Sequence, residues 1–469
     1  MSRHLKFVKN LSWISVGQFS SKVLVFLLLP LYTTYLSTTD YGIFDIILTI
    51  TLLISPILTL QMTEPVVRFS LEKNSNPIQI LAVALFVLII GSTILILIFP
   101  AVRMFIDVED LYYWFFVFFV LRNLHMLLNQ FLKGTNQIKL YAVLGIVSTL
   151  ITIILNIVFL VVFNMKLNGF LLANILGHFL IILTIFVLAI KNIKGLLNSV
   201  IFFNKDLLVR MSQYSIPMIP NALSWWVINA SDKIILTFIL GPAVVGVYAV
   251  GYKLPSILSI IMGMIMSAWY IASVEDFGSD GNRKLFSDTI NLILSCNLVI
   301  ASLIVFFIKN IAELLFQKGF YEAWTVVPIL ILGYLFFSLA VFLESIYTSS
   351  YSTKKLFLST VSAATLNLLL NFLLIPFFST IGAALATSLS FIILFVLRYL
   401  GSKKIYSFYI PMSRFIISIG IVTLLIIATY ISDFVVIRVV LFLFVFCWNL
   451  LHIYKNYYVQ SLVFGRKEI

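Results

Sequence analysis

The 469-residue chain is 62% hydrophobic and only 10% charged, with a mean hydropathy of +1.11. Soluble domains carry about 25% charged residues, so soluble and nucleic-acid-binding classes are excluded in favour of a polytopic membrane protein. The net charge of +13 reflects topology, because the bases collect in alternate loops.

Apolar runs of about 20 residues cross a hydrocarbon core roughly 30 Å thick, and in lipid they satisfy their backbone groups as helices. About 14 such runs follow one another, which predicts an all-α integral membrane fold. The first, Leu11 to Leu36, is too long for a cleaved signal and is expected to remain as a span. It sets Ser15, Gln18 and Lys22 on one face. The second offers Asp45 and Thr49 one turn apart. The fourth carries a stripe of Arg122, His125, Asn129 and Lys133. Residues 191–210 mix apolar side chains with lysines and are too polar to span, so they read as an amphipathic helix on the cytoplasmic surface.

The seventh span, from about Met211 to Leu240, contains Pro217 and Pro220, which predict a bend. It groups Trp225, Asn229 and Asp232, with Lys233 rotated to one side. The eighth adds Tyr248, Tyr252 and Lys253, and the tenth places Glu344 near Tyr347 and Thr348. Cys296 and Cys447 both lie inside apolar runs, which predicts buried thiols and no disulfide. There is no Gly-x-x-x-x-Gly-Lys-Ser/Thr loop and no His/Cys cluster with metal spacing, so neither ATP hydrolysis nor a metal cofactor is expected.

With the N-terminus inside, Arg3, Lys6, Lys9, Lys133, Lys139, Lys354, Lys355, Arg398, Lys403 and Lys404 fall in loops on one side, and the opposite loops carry few bases. This positive-inside bias puts both termini in the cytoplasm.

The chain also repeats itself. Leu36 to Phe44, after the first span, matches Leu240 to Tyr248, after the seventh, with leucine, glycine and aromatic in register. Leu155-Asn156 in the fifth span answers Leu370-Asn371 in the eleventh. A six-helix period predicts two halves of the same orientation with substrate between them. The expected domains are an N-terminal lobe at 1–190, a linker at 191–210, a C-terminal lobe at 211–400, and two further helices with a cytoplasmic tail at 401–469.

A charge at the bilayer centre costs about 2.5–3.5 kcal/mol, so it is kept for use or for pairing. Lys22, Arg122, Lys233 and Lys253 therefore point to an anionic cargo in a hydrated central cavity. Lysine and arginine suit phosphate, and Gln18, Asn229 and Tyr252 suit the sugars of a glycan. Asp45, Asp232 and Glu344 are the candidates for coupling to H+ or Na+, with Asp45 also the expected partner of Arg122. His125 is expected to make an interhelical hydrogen bond.

Asp232-Lys-Ile-Ile-Leu followed by Leu240-Gly-Pro and Gly246-Val-Tyr248 resembles the polysaccharide-biosynthesis exporters, the O-antigen or capsule flippases. Leu366 to Pro376 and Gly382 to Thr387 are similar to the same family's eleventh and twelfth helices, as are Arg68-Phe69 and the outer loop Phe316 to Ala323. Leu36-Ser-Thr-Thr departs from the family's Leu-Gly-Pro-like turn. The resemblance implies the superfamily shared with multidrug exporters and lipid II flippases, with two pseudo-symmetric six-helix lobes in a V, two C-terminal helices and alternating access. It implies a flippase rather than an enzyme, moving undecaprenyl-pyrophosphate-linked oligosaccharide units whose polyprenyl tail stays in lipid. Polysaccharide polymerase and chain-length proteins are expected partners, alongside the lipid bilayer. The alternatives are an ion-coupled multidrug/cation antiporter, or a membrane glycosyl polymerase or ligase. The first calls for an acid-dominated cavity and the second for a large outer loop.

Overall fold

The computed structural model describes residues 26, 28–72, 75–103, 109–189, 204–275, 280–431 and 435–464. Helix is the only repetitive structure among them. Twelve helices are long and apolar enough to cross a membrane, which makes this a multi-pass membrane protein. Large apolar side chains such as Leu97, Val187, Phe238 and Val436 are exposed along these helices, as expected where the surrounding solvent is lipid. The expected first span lies mostly outside the described residues. The chain forms two compact units, Met1–Trp226 and Val227–Ile469.

In the first unit, α1 (Leu29–Tyr35) runs into α2 (Thr38–Leu58) through a tight corner. Ser37 Oγ accepts from the Asp40 amide at 3.0 Å, and the Asp40 carboxylate accepts from the Ser37 amide at 3.1 Å. This reciprocal capping box satisfies two free amides at the start of α2. After α3 (Thr63–Ser70) come α4 (Pro77–Arg103), α5 (Glu109–Gly134), α6 (Ile138–Asn156, continued by a π-helical turn to Val162) and α7 (Lys166–Ala189). Their shared core contains Met62, Val66, Leu81, Leu127, Leu132 and Ile181. Then α8 (Lys205–Ser215) is capped by Asn204, and a 3-10 turn at Ile216–Met218 leads into α9 (Ile219–Leu240). The bend expected around Pro217 is this turn. Residues 191–203 of the expected linker lie outside the described residues.

Gly91 shows how closely the first unit is packed. A Cβ there would sit 2.2 Å from the Leu58 carbonyl oxygen, a backbone atom that cannot swing aside. Small residues permit such close helix approach in membranes. Gly91→Leu should therefore destabilise the protein by at least the ~1–3 kcal/mol of an overpacked core, read as a lower unfolding temperature in detergent. Wild-type unfolding would disprove the contact.

The second unit contains the rest of α9, then α10 (Pro242–Glu275), α11 (Asp280–Phe306), α12 (Ile308–Leu315), α13 (Val327–Ser349), α14 (Thr353–Ser402), α15 (Met412–Tyr430) and α16 (Val435–Phe464). The corner at Leu240 repeats the one at Leu36 with different chemistry. Gly241 takes φ +86°, in the left-handed region open to glycine, and Pro242 opens α10. The family turn and its departure thus open their helices with different chemistry, one by glycine and proline, the other by a capping box.

Helix α14 is a hairpin with its turn at Ser379 (φ 52°, ψ −131°). A Cβ on Gly382 would lie 2.4 Å from the Leu374 carbonyl oxygen, and Arg398 reaches back to Ser359 and Thr360. Both pairings are centred near residue 379, so the chain folds back on itself there. The two arms match the expected eleventh and twelfth spans. Two corrections concern single residues. Arg398, expected in a loop beside Lys403 and Lys404, is fully buried within α14. Cys296 is half-buried and Cys447 exposed, both free, so the predicted burial fails for Cys447. It lies on the lipid-exposed side of α16, whose apolar sequence does not distinguish protein contact from lipid contact.

Candidate functional site

The candidate residues fall in both units. Lys22 and Gln18 lie outside the described residues. In the first unit, Asp45 is buried at 3% exposure on α2. Trp226 Nε1 donates to the Thr49 carbonyl at 2.9 Å, tying α9 to α2 one turn beyond Asp45. Arg122 is half-buried on α5 and makes no ion pair with Asp45; its Nη1 donates instead to Met126 Sδ at 3.4 Å. The expected Arg122–Asp45 pair is therefore absent, because the guanidinium turns along its own helix. One turn further, His125 Nδ1 and His178 Nδ1 are 2.8 Å apart, which gives the interhelical bond expected of His125 and identifies its partner on α7.

In the second unit, three candidates gather where α9 meets α10. Asp232 is 1% exposed. Its Oδ2 accepts from Tyr248 Oη at 2.6 Å and from Thr387 Oγ1 at 3.2 Å, while its Oδ1 accepts from the Lys233 amide at 2.8 Å. A buried carboxylate is tolerated only with such donors. Beside it, Ser231 Oγ and Asn371 Nδ2 both donate to Asn367 Oδ1. Lys233 turns the other way, placing Nζ 5.5 Å from the Tyr252 ring centroid in a cation–π contact. The Tyr248 and Tyr252 rings are 5.8 Å apart. Asn229 is half-buried one turn before Lys233. The structure thus brings together Asp232, Lys233 and Tyr252, and adds Tyr248, Thr387 and Asn367.

Lys253 follows Tyr252 on α10 and is half-buried, and its ammonium makes no hydrogen bond or ion pair among the described residues. Glu344 stands apart from this cluster. Its Oε2 lies 3.1 Å from Nη1 of the fully buried Arg398. The same guanidinium donates to the Ala340 carbonyl at 2.9 Å and to Thr360 Oγ1 at 3.1 Å. Arg414, at the start of α15, donates to Ser295 Oγ and Asn449 Oδ1.

Three groups escaped the sequence reading. Arg398 was hidden by the lysines just after it, although the apolar run Ser390 to Leu397 continues up to it. His178 was passed over as a lone histidine, yet two of only four histidines in the chain fall mid-span. Thr387 carried no signal before the α14 hairpin was known.

Comparison with known proteins follows the same lines. Residues 7–270 match a family described as polysaccharide biosynthesis protein. No curated protein sequence matches the chain. Among solved structures, the lipid II flippase MurJ in an inward closed conformation is similar at a TM-score of 0.66 and 15% identity, over 96% of this chain and 99% of that one. A MATE transporter in the straight conformation gives 0.58 at 14% identity, over 85% and 95%. A MOP superfamily transporter from Pyrococcus furiosus gives 0.55 at 12%, over 85% and 95%. These likenesses show a fold shared with MurJ and the MATE transporters. With more than half its length matched, the chain belongs to the polysaccharide biosynthesis protein family.

Proposed function

We propose that this protein flips undecaprenyl-pyrophosphate-linked oligosaccharide repeat units across the bacterial cytoplasmic membrane, by alternating access, for O-antigen, capsule or a similar surface polysaccharide. The observation that carries the reading is Lys253, a half-buried ammonium in a membrane span with no counter-ion among the described residues. Holding a charge there is costly, and a transient anionic ligand offsets that cost. Lys233 and Arg122 supply further positive charge, with Lys22 the fourth expected base. Tyr252, Asn229 and Gln18 are the residues for the glycan. The family membership and the lipid II flippase likeness support a lipid-linked glycan as the anion.

Lobe limits at 1–190 and 211–400, cytoplasmic termini, and polymerase and chain-length partners belong to the same proposal. Coupling to H+ or Na+ is assigned to Asp45, Asp232 or Glu344. An ion arriving at Asp232 competes with Tyr248 and Thr387, and one arriving at Glu344 competes with Arg398. The cation-antiporter alternative would need acids free to take a cation. In the second unit both candidate acids are already engaged.

Deleting the gene should trap lipid-linked glycan in the cytoplasmic leaflet and remove the surface polysaccharide, both read by extraction and labelling. Normal surface polysaccharide with no such build-up, in a strain lacking a redundant exporter, would overturn the reading.

A further inference from the structure

The histidine pair of the first unit has a chemistry that the cargo residues do not explain. His125, 9% exposed, and His178 sit near the middle of α5 and α7. Their rings are nearly edge to face, at 5.1 Å and 61°, and Phe118 lies 5.8 Å from His178. Phe118, Leu171 and Ile175 belong to the apolar cluster beside them. An Nδ1 to Nδ1 distance of 2.8 Å is a hydrogen bond only if one of the two nitrogens carries a proton and the other does not.

This geometry counts protons. In the neutral pair one ring donates from Nδ1 and keeps a bare Nε2, while the other accepts at Nδ1 and is protonated at Nε2. One further proton from water adds at the bare Nε2, making an imidazolium and leaving the shared bond intact. A second would put protons on both Nδ1 atoms and break the contact. The pair therefore holds one extra charge and no more.

The surrounding charges set when that happens. Arg122 is one turn before His125, so the two side chains share one face of α5. Besides Arg122, α5, α7 and the helices packed against them carry Asp40 and Asp45 on α2, Glu64 and Arg68 on α3, Lys133 on α5, Lys139 on α6 and Lys166 on α7 among the described side chains. Among the described residues no carboxylate is at ion-pair distance from either histidine. An imidazolium here is opposed by Arg122 until that charge is neutralised.

We propose that His125 and His178 form a single-proton site, and that an anionic phosphate group docking at Arg122 draws the proton in. The linkage is reciprocal, so the protonated pair also holds the anion more tightly. The proposal rests on Arg122 as a cargo contact, and it gives the first unit a proton-coupling site separate from Asp45, Asp232 and Glu344.

The test uses full-length protein labelled with 15N-histidine in lipid nanodiscs, titrated over about pH 4 to 9. Loss of signals in His125→Gln and His178→Gln assigns the two rings. In wild type both rings should move together through one protonation step. Millimolar inorganic pyrophosphate should move that step upward by about one pH unit, tenfold in proton affinity. Arg122→Gln should show the raised step without pyrophosphate and no further response to it, and Arg122→Lys should behave as wild type. Rings that titrate independently, or a step unmoved in Arg122→Gln, would refute the proton site. A wild-type step that ignores pyrophosphate, although Arg122→Gln moves it, would refute the anion linkage. No glycan enters the measurement, so these failures are distinct from export that survives gene deletion.

Discussion

Arg398→Ala should destabilise the purified protein by about 3–5 kcal/mol, the cost of breaking a buried ion pair from one side. The guanidinium is wholly buried and joins three places in the second unit: Glu344 and the Ala340 carbonyl on α13, and Thr360 on the first arm of the α14 hairpin. Its own carbonyl accepts from Tyr347 Oη at 2.8 Å, which fastens the second arm to α13. Removing the side chain strands a carboxylate and a carbonyl where little water reaches them. Glu344 is 23% exposed, so part of its cost is relieved by solvent and the lower end of the range is expected. The double variant Arg398→Met with Glu344→Leu should recover much of the loss, because apolar replacement of a whole buried pair is often neutral or favourable. Thermal unfolding in detergent decides the matter. Wild-type unfolding of Arg398→Ala would mean that the hairpin is held by its apolar packing alone.

Membrane character, the order of the spans and the two matching corners were legible in the sequence because each depends on local signals: run length, helical spacing, proline and glycine. Gly241-Pro242 opens α10 and the Ser37–Asp40 capping box opens α2, each a signal carried by a few adjacent residues. What escaped depends on contacts between segments remote in the chain. Arg398 reads as one more cytoplasmic base until the hairpin at Ser379 brings it beside Glu344. Asp232 reads as a coupling acid, and only the fold supplies Tyr248 and Thr387 as its donors. Opposite charge suggested Asp45 for Arg122, but the guanidinium found the sulfur of Met126 on its own helix. Side-chain charge predicts that a partner is needed. It does not say which one.

Lys253→Ala is the counterpart of the Arg398 variant, with the opposite balance between fold and function. Arg398 is surrounded by acceptors, whereas the Lys253 ammonium has none among the described residues. Its removal breaks no hydrogen bond and relieves the cost of a cation within a span, so stability should be unchanged or slightly raised. Export should fall by about tenfold or more, since a charged hydrogen bond to phosphate contributes about 1.5–3 kcal/mol and 1.4 kcal/mol corresponds to tenfold. Lys253→Arg keeps the charge and adds donors suited to phosphate, so it should retain most of the activity. Lys233→Ala is a less clean probe because it also removes the contact with Tyr252. The readout is surface polysaccharide per cell at matched levels of membrane protein, together with unfolding temperature. A stable Lys253→Ala protein that exports like wild type would remove the observation on which the anionic cargo rests. A protein that loses stability and export together would show that the lysine serves the fold.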